Sequence, residues 1–144
     1  MCIRDRVEVV FIRYHTTAKE VDEQEFFYSK ETGGTVASNG LQMMVDIANE
    51  RYPVTGWNWY VAQATDGDNW GNDSLICKSL LLEKIMPFVR YFAYIEIKPD
   101  RHQSLWEKYE DVKEKHPQSF AMRQIDRPAD IYPVFRDLFK RRMN

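Results

Sequence analysis

From Trp57 to Ile125 the chain alternates between two hydrophobic rhythms, and this alternation limits its fold more than any other feature. WNWYVAQATD (57–66) has an alternating apolar pattern and runs into the sharp turn DGDN, which reads as a strand and its exit. SLICKSLLLEKIMPFV (74–89) reads as a helix, with Asp73 or Ser74 as the expected N-cap. YFAYIEI (91–97) is an inner strand, LWEKYEDVKEK (105–115) an amphipathic helix, and FAMRQI (120–125) another strand. Strands that alternate with helices run parallel, each helix serving as the crossover. The expected fold is therefore α/β, a doubly wound and mostly parallel sheet with helices on both faces.

The flanking segments extend this pattern. VEVVFIRY (7–14) is β-branched and apolar, as expected of a strand buried on both faces. KEVDEQEF (19–26) is polar and reads as an edge strand or extended arm whose charges blunt the edge. In TVASNGLQMMVDIANERY (35–52), Val36, Leu41, Met44, Val45, Ile47 and Ala48 recur at helical spacing. Gly40 weakens that helix, and Pro53 with Gly56 ends it. PADIYPVFRDLFKRRM (128–143) is a last helix, expected to break near Pro133. No internal repeat, low-complexity segment or linker interrupts the chain.

Composition narrows the class of partner. A length of 144 residues suits one domain with a buried core, and 44% hydrophobic with 14% aromatic content argues against disorder. A net charge of −2 gives no reason to expect nucleic acid or an anionic membrane. The two cysteines, Cys2 and Cys77, form neither a CxxC pair nor a metal spacing, so a reduced, cytoplasmic setting is expected. No apolar run approaches the ~18 residues of a membrane span. MCIRDR (1–6) is too charged and too short for a signal peptide. It reads as a non-native leader, like a translated sequencing-adapter remnant, in which case the natural start of the protein is missing.

Two loops could carry chemistry. Ligands of open α/β sheets sit at the carboxyl ends of the strands, and ATDGDNWGND (64–73) stands at such an end. Asp66, Asp68, Asn69, Asn72 and Asp73 crowd it with hard oxygen donors suited to Mg²⁺ or Ca²⁺. The same residues could also simply build a turn and cap the next helix. An EF-hand fits poorly: counting from Asp66, the fifth position is Trp70, the twelfth is Cys77 where a glutamate is needed, and a strand precedes. The second loop, SKETGGTVASNG (29–40), matches neither GxGxxG nor GxxxxGK[ST], which argues against a phosphate cradle. An asparaginase-type threonine loop would follow a first apolar strand, but EFFYSKE stands here instead. The remaining reading is that Gly33 and Gly34 free the backbone to bend and aim Thr35.

Taken together, GGT before one helix and TDG after the next strand resemble the second and third metal loops of a von Willebrand factor A domain. The resemblance implies that Thr35 and Asp66 ligate Mg²⁺, or else Mn²⁺ or Ca²⁺. Gly33, Gly34 and Gly67 would shape the loops, and Asp68 would add a ligand or support from behind. That family also has a first strand ending in DxSxS, which is absent from this sequence. On this reading residues 7–144 are a partial domain lacking its first strand and helix. The missing strand is central, so VEVVFIRY and WNWYVAQAT each lose a neighbour and either pair together or expose apolar edges. Two protein ligands would hold Mg²⁺ weakly, because it demands octahedral geometry and gives up water reluctantly.

VEVVFIRYHTTAKEVDEQEFFYSKETGGTVASNGL, ATDGDNW, YFAYIEI and IYPVFRDLF also resemble the C-terminal part of the YeaH/YhbH family of bacterial proteins, from about Val7 to Lys140. That resemblance implies a role in stress and starvation responses, or in sporulation, with a PrkA-type serine kinase as partner. The expected function is a metal-assisted protein-interaction (adaptor) domain, not an enzyme. His15 and Trp70 are candidate partner contacts, though a satisfied loop histidine is the favoured reading of His15. Two other readings stay open: a Mg²⁺-dependent hydrolase or phosphotransferase using Asp66 and Asp68, and a structural domain that binds no metal.

Overall fold

The structure is a computed structural model that describes residues 8–14, 17–28, 36–65, 71–97 and 104–143. In chain order its elements are β1 (Phe11–Tyr14), β2 (Ala18–Val21), α1 (Glu23–Tyr28), α2 (Ala37–Arg51) and β3 (Trp59–Thr65). They continue with α3 (Gly71–Leu80, prolonged by a π-helical turn Leu81–Ile85), β4 (Val89–Ile97), α4 (Ser104–Lys115) and β5 (Phe120–Ile125). A 3₁₀ turn (Pro128–Asp130) then leads into α5 (Ile131–Met143).

β3, β4 and β5 form a parallel sheet in that order, with Val61 opposite Phe92 and Phe92 opposite Phe120. The expected α/β class is therefore observed, on a three-stranded parallel sheet. β4 lies in the middle, which is why VRYFAYIEI is apolar nearly throughout and buried on both faces. On one face Phe92 stacks on Phe120 at 5.3 Å, and Tyr109 of α4 meets Tyr94 edge-on at 4.7 Å. Leu41, Val45 and Ala48 of α2, with Cys77, Leu81 and Ile85, complete this core. On the other face Leu138 of α5 covers Tyr91 and Ala93. Each fully buried large side chain contributes about 1.5–3 kcal/mol of transfer free energy, so most of the stabilisation lies between the sheet and these helices. Trp59 is buried in the core, and its indole N–H donates to the Tyr52 carbonyl at 2.6 Å.

Several expectations are corrected. Among the described residues, 8–14 do not form a strand buried on both faces in the parallel sheet. β1 pairs antiparallel with β2, from Phe11 opposite Val21 to Tyr14 opposite Ala18, in a separate two-stranded sheet, and is half-buried along its length. Strands joined by a short connection can pair only antiparallel, and here that pairing wins. The arm expected over 19–26 is a strand only to Val21. Asp22 then accepts the Glu25 N–H at 2.7 Å and opens α1 as an N-cap. α3 begins at Gly71 rather than at Asp73 or Ser74, and Asp73 is turned toward α2 instead of capping its own helix. Pro133 does not break α5. It is the third residue, in the first turn, where its missing N–H would have had no intrahelical acceptor.

Gly40, inside α2, has a packing reason. A Cβ there would lie 2.7 Å from Cδ1 and 2.9 Å from Cγ of Tyr14, so the glycine lets the hairpin's tyrosine lie flat on the helix.

Candidate functional site

The buried polar side chains among the described residues gather toward one end of the molecule. They are Ser38 at the start of α2, Asp73 and Ser74 at the start of α3, Gln63 and Thr65 near the end of β3, and Glu96 near the end of β4. Thr65 and Glu96 are register partners at the carboxyl ends of adjacent parallel strands, where open α/β sheets bind ligands. Burying polar groups is unfavourable unless they are hydrogen-bonded, so the partners of these side chains are what hold this end of the sheet together.

Asp73 is the centre of the cluster. Its carboxylate accepts the Ser38 backbone N–H at 3.0 Å, the Ser38 hydroxyl, and the Cys77 thiol at 3.5 Å. Val36, the N-cap of α2, supplies no side-chain acceptor of its own. The carboxylate of α3 therefore caps α2 from outside, placing a negative charge against the positive end of that helix. Burial, followed by the neighbouring Asp73 charge, pushes the Cys77 thiol far above its ordinary range, so it stays protonated and donates.

A second network runs beneath this one. The Tyr109 hydroxyl donates to Gln63 Oε1 at 2.7 Å, and Gln63 Nε2 donates to the Tyr14 hydroxyl at 3.1 Å. The Tyr14 hydroxyl in turn lies 3.4 Å from the Ala64 carbonyl, which accepts from it. Burial raises the Tyr109 hydroxyl well above its usual value, keeping it a neutral donor. This chain of contacts links α4, β3 and the hairpin.

The residues singled out from the sequence as ligands, loop formers and contacts lie outside the described residues: Thr35, Asp66, Asp68, Gly33, Gly34, Gly67, His15 and Trp70. Their flanks are described. Ser38, three residues past Thr35, is bonded to Asp73, seven residues past Asp66, so the starts of the two helices that follow these loops are fastened together. Sequence reasoning did not single out Ser38, Gln63 or Glu96 as parts of a buried polar cluster. Only Glu96 had a local signal, a charge inside the otherwise apolar YIEI. Among the described residues no three His, Cys, Asp or Glu side chains are gathered as a metal site. Among the same residues no helix is long and apolar enough to cross a membrane.

Among the described residues these features define an α/β domain with buried polar side chains at the starts of α2 and α3 and near the carboxyl ends of β3 and β4. A family profile described as "Protein of unknown function (DUF444)" matches residues 4–142. A UPF0229 protein of Azotobacter vinelandii is 60% identical over 139 residues, covering 96% of this chain and 33% of the relative. One from Legionella pneumophila (strain Corby) is 63% identical over 138 residues, with the same coverage. The chain belongs to this family, which is the YeaH/YhbH family of the sequence resemblance. It spans about a third of the length of the curated relatives it matches. No solved structure matches the chain.

Proposed function

We propose that the chain is part of a von Willebrand A-like domain that works as a metal-assisted adaptor in the cytoplasm, binding a partner rather than catalysing a reaction. The observation that carries this reading is the Ser38–Asp73 junction. It holds the helix starts behind the GGT and TDG loops side by side, at the carboxyl end of β3. A hydroxyl from Thr35 and a carboxylate from Asp66 are hard donors of the kind Mg²⁺ or Mn²⁺ takes. A bound ion would supply an open coordination position for a carboxylate of the partner. Ser38 and Asp73 are engaged with each other and serve as framework, not ligands. The partner suggested by the family resemblance is a PrkA-type serine kinase, in a stress, starvation or sporulation response.

The sheet arrangement also supports the reading. β1 and β3 belong to different sheets, and β3 is an edge of its own among the described residues. Tyr60 and Ala62 on β3 are exposed. A central strand supplied by the rest of the protein would lie between β1 and β3 and bring the DxSxS ligands that this chain lacks. Binding is favoured over nucleophilic chemistry because Cys77, the free thiol described, is buried and protonated.

The test is a chimera in which this chain replaces the matched 139 residues of the Azotobacter vinelandii relative. Calorimetric titration with Mg²⁺ and Mn²⁺ should show saturable binding that Thr35→Ala and Asp66→Ala each abolish. A well-folded chimera without metal heat would sink the reading. Capture of the kinase that is unaffected by EDTA would sink the metal-assisted part.

A further inference from the structure

We infer that Asp73 is a positioning residue: its carboxylate locks the starts of α2 and α3 into one unit and so sets the spacing of the two loop bases. The inference rests on the proposed metal site but is carried by a different set of atoms. Asp73 is 5% exposed and Ser38 9%, so the contact is protected from water. The geometry is bidentate in effect. One oxygen takes the Ser38 N–H at 3.0 Å and the other takes the Ser38 hydroxyl, which fixes both the axial position and the rotation of α2's first turn relative to α3. The Cys77 thiol, one turn further along α3, holds the carboxylate from its own side at 3.5 Å. Gly71 opens α3 two residues before Asp73, and Val36 precedes α2 two residues before Ser38, so each loop re-enters the described chain within two residues of the clasp. The main-chain direction at both re-entry points is thereby fixed by one side chain.

A clasp of this kind is distinct from ordinary packing. Leu41 and Val45 of α2 share one apolar core with Cys77 of α3, and the attraction from such burial has no preferred direction. A charged carboxylate bonded to two groups of one residue has one. Outer groups that orient ligands typically carry about 10–100-fold of metal affinity.

The test uses the chimera with the Azotobacter vinelandii relative and three variants, Asp73→Asn, Ser38→Ala and Cys77→Ala. Mg²⁺ affinity is measured by calorimetry well below each melting temperature. Amide hydrogen exchange is followed over residues 29–40 and 66–74 without metal. Asp73→Asn should lower Mg²⁺ affinity by roughly 10-fold or more and speed exchange in both segments together. Ser38→Ala, which keeps the backbone donor, and Cys77→Ala, which removes only the long thiol contact, should each do less than Asp73→Asn. If Asp73→Asn lowers the melting temperature but leaves both affinity and exchange as in the parent, Asp73 is a packing residue and the inference is overturned. If Asp73→Asn speeds exchange in one segment only, the coupling is overturned. If the parent chimera binds no Mg²⁺ yet Asp73→Asn speeds exchange in both segments, the metal reading fails while the clasp stands.

Discussion

The parallel sheet and the β1–β2 hairpin are both β structure, but they are held in place by different means. β3, β4 and β5 are joined by parallel backbone ladders, broken only by a register shift between Trp59 and Tyr60, and β4 is sealed on both faces by aromatic and aliphatic side chains. The hairpin has one ladder of its own and reaches the rest of the molecule through side chains. Tyr14 lies on Gly40 and bonds to Gln63, while Glu20 on β2 receives Arg51 of α2 through two contacts of 2.7 and 2.8 Å. An element sealed by area loses stability in proportion to what is removed. An element docked by a few contacts can detach while the rest stays folded. Mutations should therefore sort into global and local effects according to which region they touch.

The largest effect should come from the sealed region. Phe92 is fully buried and stacks on Phe120, with Tyr109 edge-on at 6.4 Å. Phe92→Ala should cost about 3–5 kcal/mol, enough to remove most of the stability of a small domain. Urea unfolding followed by tryptophan fluorescence would read it. A cost below about 1 kcal/mol would mean that this aromatic stack is not where the fold's stability resides.

Next comes the docking contact. Gly40→Ala places a methyl 2.7 Å from the Tyr14 ring, so the ring must move or the hairpin must lift. The expected loss is roughly 1–3 kcal/mol, partly offset by the ~1 kcal/mol that alanine gains over glycine within a helix. Hydrogen exchange should quicken in β1 and β2 and stay slow in β4. Gly56→Ala, with nothing within 4 Å of the added methyl, is the control and should change stability little. Exchange that quickens equally in β4 and in the hairpin of Gly40→Ala would contradict the docked-hairpin picture.

How much of this was legible in the sequence follows the same division. β4, β5 and α4 carry their identity in local pattern, because a strand buried on both faces and a helix with one apolar face leave unmistakable periods. VEVVFIRY has an equally strong local pattern, yet its partner was misassigned. Pattern reports that a strand is apolar, not which strand lies beside it, and the nearest available partner was AKEV. The Asp22 cap and the placement of Pro133 were readable in principle, since both depend only on neighbours within one turn. The role of Asp73 was not, because its acceptor function is set by Ser38, 35 positions earlier in the sequence. The loop ligands Thr35 and Asp66 came from motif resemblance, and they lie outside the described residues.

A smaller effect tests the link between the two regions. Tyr109→Phe removes the donor to Gln63 Oε1 and leaves that buried amide oxygen without this partner. The expected cost is about 1–3 kcal/mol. Because Gln63 also donates to Tyr14, exchange in β1 should quicken slightly as well. A double substitution with Tyr14→Phe should lose less than the sum of the two single changes, since both act on the same glutamine.

The smallest effect is at the outer pin of the hairpin, and it carries a pH signature. The hydrogen bond from Arg51, reinforced by the guanidinium charge, holds the Glu20 carboxyl below its ordinary 4.5. A carboxyl whose folded pKa is lowered contributes stability that is present above its unfolded value and lost as pH falls through the folded one. The window therefore opens near pH 4.5 and extends to lower pH. Both side chains are substantially exposed, at 45% for Arg51 and 35% for Glu20, so solvent and salt weaken the pair. Glu20→Gln should lower the urea midpoint only slightly at neutral pH, and the gap from the parent should close below pH 4.5 and in high salt. If the gap instead persists at acid pH, the hairpin is held at this corner by the packing of the Glu20 stem, and the ion pair is incidental.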